Sequence, residues 1–140
     1  MAGRIVRVIP KTQFDFVDIA ANGSMTIPVA MHIDVSEYRS AVLMVRFHSI
    51  DIAQANASIT VVAMSDGKTQ QDPSETFFDL SNPLGSVQVT SSDSGPLFLT
   101  DNLVASQKLP GMLGIGIQGA QGGTQGDVQA EISIDLALKE

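Results

Sequence analysis

The feature that most restricts what this chain can fold into is a two-residue hydrophobic rhythm repeated along nearly its whole length. From Met25 the odd positions read Met25, Ile27, Val29, Met31, Ile33 and Val35, with Thr26, Pro28, Ala30, His32 and Asp34 between them. The same rhythm returns on even positions near the end, as Val128, Ala130, Ile132, Ile134, Leu136 and Leu138 against Gln129, Glu131, Ser133 and Asp135. Successive strand side chains point to opposite faces, so each stretch is a strand with one apolar face. Pro28 cannot donate a ladder hydrogen bond, which predicts an edge strand or a bulge there. Ala41 to Ser49 is apolar on both phases (Val42, Leu43, Met44, Val45, Phe47) and reads as a central strand.

Arg4 to Ile9, Ser58 to Met64, Thr76 to Leu80, Ser86 to Thr90, Leu97 to Thr100 and Met112 to Gln118 complete the strand set. Asn22-Gly23, Asp66-Gly67, Asn82-Pro83, Ser94-Gly95-Pro96 and Pro110-Gly111 are turn signals between them. Gly119 to Asp127 reads as a hairpin loop joining the last two strands. No helical periodicity outlasts one turn, the best scrap being Val35 to Arg39 with Ser36 as its cap. The expected fold is all-β: an antiparallel β-sandwich, a jelly roll of eight to nine strands, in one domain over residues 1–140. Residues 1–11 are set apart as an arm or strand contacting a neighbour. Both end segments are strand-like, and chain ends fray unless a sheet or partner holds them. One terminal strand is therefore expected against a neighbouring chain.

Composition excludes several chemistries. There are no cysteines, which removes disulfide scaffolds, thiolate metal sites and thiol nucleophiles. Eight Lys+Arg against 15 Asp+Glu give a net charge of −7, which argues against nucleic-acid binding. No apolar run approaches the length of a membrane-spanning helix. The start, with Arg7 and Pro10 breaking its apolar residues, does not read as a secretory signal, so synthesis and folding in the cytoplasm are expected.

Candidate chemical groups are few. His32, Asp34 and His48 would offer two imidazoles and a carboxylate to a metal if their strands paired. Asp66, Asp72, Asp93 and Asp101-Asn102 are loop oxygens of the kind calcium takes, without a D-x-D-x-D-G run, and turn formation explains them as well. There is no G-x-S-x-G elbow, and the glycine-rich loop lacks the Lys-Ser/Thr of a phosphate cradle. The expectation is therefore no catalytic residue, no cofactor and no metal. Expected partner contacts are Arg4, Arg7 and Lys11, the one basic cluster, and Gly114 and Gly116, which leave one face of a strand open to close approach.

Two resemblances bear on function. The segment Asp34-Val35-Ser36-Glu37-Tyr38-Arg39-Ser40-Ala41-Val42-Leu43-Met44-Val45-Arg46 resembles the turn-into-strand segment of galactose-binding-like sandwiches and carbohydrate-binding modules. Such modules grip sugars with exposed tryptophan or tyrosine, whereas this chain has no Trp and only Tyr38. In whole-chain pattern the sequence is similar to small single-jelly-roll structural proteins of tailed phages and other viral particles. That resemblance implies a non-enzymatic subunit of a larger particle, such as a capsid decoration or accessory protein, found in the virion. It also implies a homo-oligomer, a trimer among the states expected, contacting other particle subunits and neither membrane nor nucleic acid. The competing expectation is a carbohydrate-binding or adhesin-like module using Tyr38 and loop acids to hold a glycan.

Overall fold

The structure, a computed structural model, describes residues 3–35, 37–65, 84–92, 96–103 and 112–139. Eight strands and no helix lie among them: β1 (Arg4–Ile19), β2 (Ser24–Asp34), β3 (Ser40–Ile52), β4 (Ser58–Ser65), β5 (Gly85–Val89), β6 (Leu97–Leu103), β7 (Met112–Ala120) and β8 (Gly126–Lys139). They form two four-stranded sheets, the first ordered β1-β8-β3-β6 and the second β2-β7-β4-β5. Every pairing is antiparallel. Apart from β4 and β5, each strand is followed by one in the opposite sheet. This is the jelly-roll arrangement.

The layer between the sheets is built from the alternation. On β8 the even residues Val128 to Leu138 are all buried, and they meet Leu43, Val45 and Phe47 of β3 and Phe14 and Phe16 of β1. Ile59, Val61, Ala63, Leu113, Ile115 and Ile117 supply the facing layer. The strand positions expected from the sequence hold for β2 as an edge, with register shifts after Pro28, and for β3 between β8 and β6. The outer side of β3 is half-buried at Val42 and Met44 and not fully covered. The expected strand at Thr76 to Leu80 and the turns at Asp66-Gly67 and Asn82-Pro83 lie outside the described residues, as does the cap at Ser36. Of its neighbours, the Tyr38 N–H donates to the Val35 carbonyl at 3.0 Å.

Two expectations are corrected. Pro10 does not end the first strand: β1 runs on to Ile19, with register shifts against β8 between Arg7 and Ile9 and between Ile9 and Thr12. Proline is tolerated because β1 is an edge strand, where a missing N–H costs no ladder bond. The glycine-rich loop is not a hairpin, since β7 and β8 belong to different sheets and residues 121–125 arch between them. That arch is stitched to the β1–β2 turn, where Gln121 N–H donates to the Gly23 carbonyl at 3.0 Å.

Gly119 of the second sheet lies tight against the first. A Cβ there would meet Phe16 Cγ and Val128 Cγ2, each at 2.8 Å. Gly119→Ala should therefore overpack the core and cost about 1–3 kcal/mol. Phe16→Ala, which empties a fully buried site, should cost about 3–5 kcal/mol. Gln125→Ala in the exposed connection between β7 and β8 should stay within about 0.5 kcal/mol, all three read by urea unfolding.

Candidate interaction surface

The outward face of the first sheet carries most of the described charged side chains. On β1 the outward residues are Ile5, Arg7, Lys11, Gln13, Asp15 and Val17, alternating with the core-facing Phe14 and Phe16. Arg7 lies opposite Asp135 and its Nε donates to Oδ1 at 2.5 Å. Lys11 Nζ is 3.5 Å from Glu131 Oε1. Gln13 Nε2 donates to Asp15 Oδ1 at 2.8 Å. Such exposed pairs contribute about 0–1 kcal/mol each, so they orient side chains more than they stabilise the fold.

Further across the same face, the Arg46 guanidinium lies 5.4 Å from the centroid of the Phe98 ring. His48 Nε2 and Ser133 Oγ are 3.1 Å apart and share a hydrogen bond. The face is also unusually apolar at its rims: Ile5 is 67% exposed, Val17 52% and Phe98 47%. Residues 4–11, expected as an arm, form the first half of β1 and are tied to β8 from Arg4 opposite Leu138 onward.

Gly114 and Gly116 sit elsewhere. They lie opposite Met64 and Val62 on the side of the second sheet that faces away from the core, and all four are buried. The glycine face expected to lie open is thus already covered within the chain. Sequence reasoning missed Ile5, Val17 and Phe98 as surface features. The alternation Gln13-Phe14-Asp15-Phe16-Val17 carries the signal for the β1 pair.

At one end of the first sheet, Asp18, Asp51, Asp127, Gln54, Gln129, Ala53 and Gly126 line a cleft of about 410 Å³. Asp18 has a left-handed backbone with φ 56°, and its N–H donates to Asp127 Oδ1 at 2.7 Å. No group of three or more His, Asp or Glu among the described residues is placed to hold a metal ion. β2 and β3 lie in different sheets, so the pairing that would join His32 and Asp34 to His48 does not occur; the His32 side chain is outside the described set. Asp66, Asp72 and Asp93 are likewise outside it. Asp101 is not a loop residue but part of β6, where Oδ2 accepts the Ser86 N–H at 2.8 Å. Tyr38 is half-buried against the core.

No family model and no curated protein matches the chain. Among solved structures, the infectious bursal disease virus VP2 subviral particle superposes with a TM-score of 0.57 at 17% identity, covering 97% of this chain and 31% of that one. The structure of infectious bursal disease virus Gx strain gives 0.56 at 13% identity, with the same coverage of 97% and 31%. The chain therefore spans about a third of the length of these viral proteins. A carbohydrate-binding module in complex with β-1,4-galactotriose superposes only loosely, at 0.42 and 9% identity over 94% of this chain and 86% of that one, and no argument rests on it. At such identities the likeness is one of fold.

Removing the Asp127 carboxylate tests the one side chain that supports the left-handed residue. Asp127→Ala should lose about 1–2 kcal/mol in thermal unfolding, because the Asp18 N–H loses a charged acceptor.

Proposed function

We propose that the chain is a non-enzymatic structural protein, a single jelly-roll subunit of a larger particle, and specifically a capsid decoration or accessory protein of a phage or other virus. The observation that carries this reading is a jelly roll whose outward sheet combines exposed apolar rims with paired charges. Such a surface suits burial against another protein. The strand order β1-β8-β3-β6 over β2-β7-β4-β5 supports it, being an architecture found in viral capsid domains.

In this reading Arg4, Arg7 and Lys11 meet neighbouring subunits, the net charge of −7 keeps free subunits soluble, and the protein resides in the virion. Gly114 and Gly116 would serve a neighbour only after the chain uncovered them, so the basic half of β1 carries the contact. The polar cleft at Asp18, Asp51 and Asp127 has no aromatic platform among its lining residues, which weakens the glycan reading.

Electron microscopy and glycan-array binding of the purified chain test the proposal together. Closed symmetric assemblies of more than two copies, with no glycan signal, are the expected result. A protein that never exceeds a dimer and binds a defined glycan would replace this reading with the carbohydrate-binding one.

A further inference from the structure

The unpaired edge of β1 has a charge order that matches its own reverse. The first half of the strand carries Arg4, Arg7 and Lys11, and the second half carries Asp15 and Asp18. Its two exposed apolar residues, Ile5 and Val17, stand near the two ends. Among the described residues β1 has β8 on one side and no strand on the other, in the order β1-β8-β3-β6. We propose that β1 pairs antiparallel with β1 of a second copy about a two-fold axis near Lys11 and Thr12, joining two first sheets into one of eight strands.

The register supports this placement despite the bulges. Measured on the regular neighbour β8, Thr12 lies opposite Ile132, Arg7 opposite Asp135 and Asp15 opposite Gln129, so Arg7 and Asp15 stand three residues to either side of the centre. Ile5 lies opposite Ala137, five residues on one side. Val17 follows Phe16, which lies opposite Val128, and so stands about as far on the other. A two-fold at the centre sets Ile5 of each copy against Val17 of the other and Arg7 against Asp15. Residues directly opposite in an antiparallel pair share a face, so these contacts form on the outward side. A two-fold interface must be self-complementary in this way.

The central Lys11 residues meet each other, but each is already beside its own Glu131 at 3.5 Å. Pro10 and two register shifts interrupt the middle of the edge and a third falls between Phe16 and Ile19, so ladder hydrogen bonds form along the regular stretches Arg4 to Arg7 and Thr12 to Phe16, which carry Arg7 and Asp15. Lysine and proline blunt an edge strand against association, and here Pro10 and Lys11 stand at the centre and leave Arg7 and Asp15 clear of them. A second copy is the occupant because it alone presents the same sequence of groups in reverse.

Light scattering on size-exclusion fractions of the full chain, from about 1 to about 100 µM, tests this. A mass of two chains, or of an even number of chains where larger assemblies form, is expected, with the dissociation constant of the β1 pair raised about tenfold or more by Arg7→Asp and by Asp15→Arg, each confirmed as folded by circular dichroism. The combined Arg7→Asp/Asp15→Arg variant should dimerise again. A second variant does not depend on those charges: because the natural chain has no cysteine, Ile5→Cys/Val17→Cys should oxidise to a covalent dimer. A monomer at about 100 µM, single variants that still dimerise fully, a folded double swap that stays monomeric, or no covalent dimer would each overturn the proposal. A dimer that builds no larger assembly would leave this inference standing while the particle reading fails. Larger assemblies that survive Arg7→Asp unchanged would do the reverse.

Discussion

The structure depends on the burial of one face of β8. Its even residues from Val128 to Leu138 lie under β1 on one side and β3 on the other, and the phase of both neighbours follows from them. A strand slipped by one residue would turn Val128, Ile132 and Ile134 outward and bring Glu131 and Asp135 into the core. Because that cost is spread over three strands, the register of the first sheet is strongly specified. The bulges in β1 and at Phe47/Ser49 in β3 adjust its neighbours to this phase, not the reverse.

With the apolar residues enclosed this way, the outside is left to charged and half-exposed positions. The ion pairs Arg7–Asp135 and Lys11–Glu131 bridge β1 and β8 on the outward face. The polar cleft is confined to one end, where Asp18 and Asn22 adopt left-handed backbone and the β1–β2 turn meets the arch between β7 and β8. A molecule built so presents sheet faces and edges to its surroundings, which is why the functional reading rests on association.

Much of this is legible in the sequence, and the rest is hidden for identifiable reasons. Alternation marks β2 and β8 because each turns one apolar face to the core, it persists in β4 and β7 although both their faces are buried, and Pro28 marks β2 as an edge because a central strand needs that N–H. Strand order is not legible, since pairing β1 with β8 joins residues more than a hundred positions apart and nothing local encodes it. The second half of β1 is obscured by Pro10, which reads as a terminator unless the strand is known to be an edge. The arch at 121–125 reads as a hairpin because short connections usually join paired strands, and only the jelly-roll order sends it across the sheets. The charge order of β1 takes on meaning only once residues 4–19 are one strand.

The central claim is that this fold uses its interior for stability and the edge at β1 for association. Hydrogen exchange followed as a function of protein concentration tests it most directly, because it reads each strand separately. The account predicts that β1 amides in the flanks around Arg7 and Asp15 gain protection as concentration rises, while β6, the opposite edge of the same sheet, is unchanged. Equal exchange of β1 at all concentrations would contradict it.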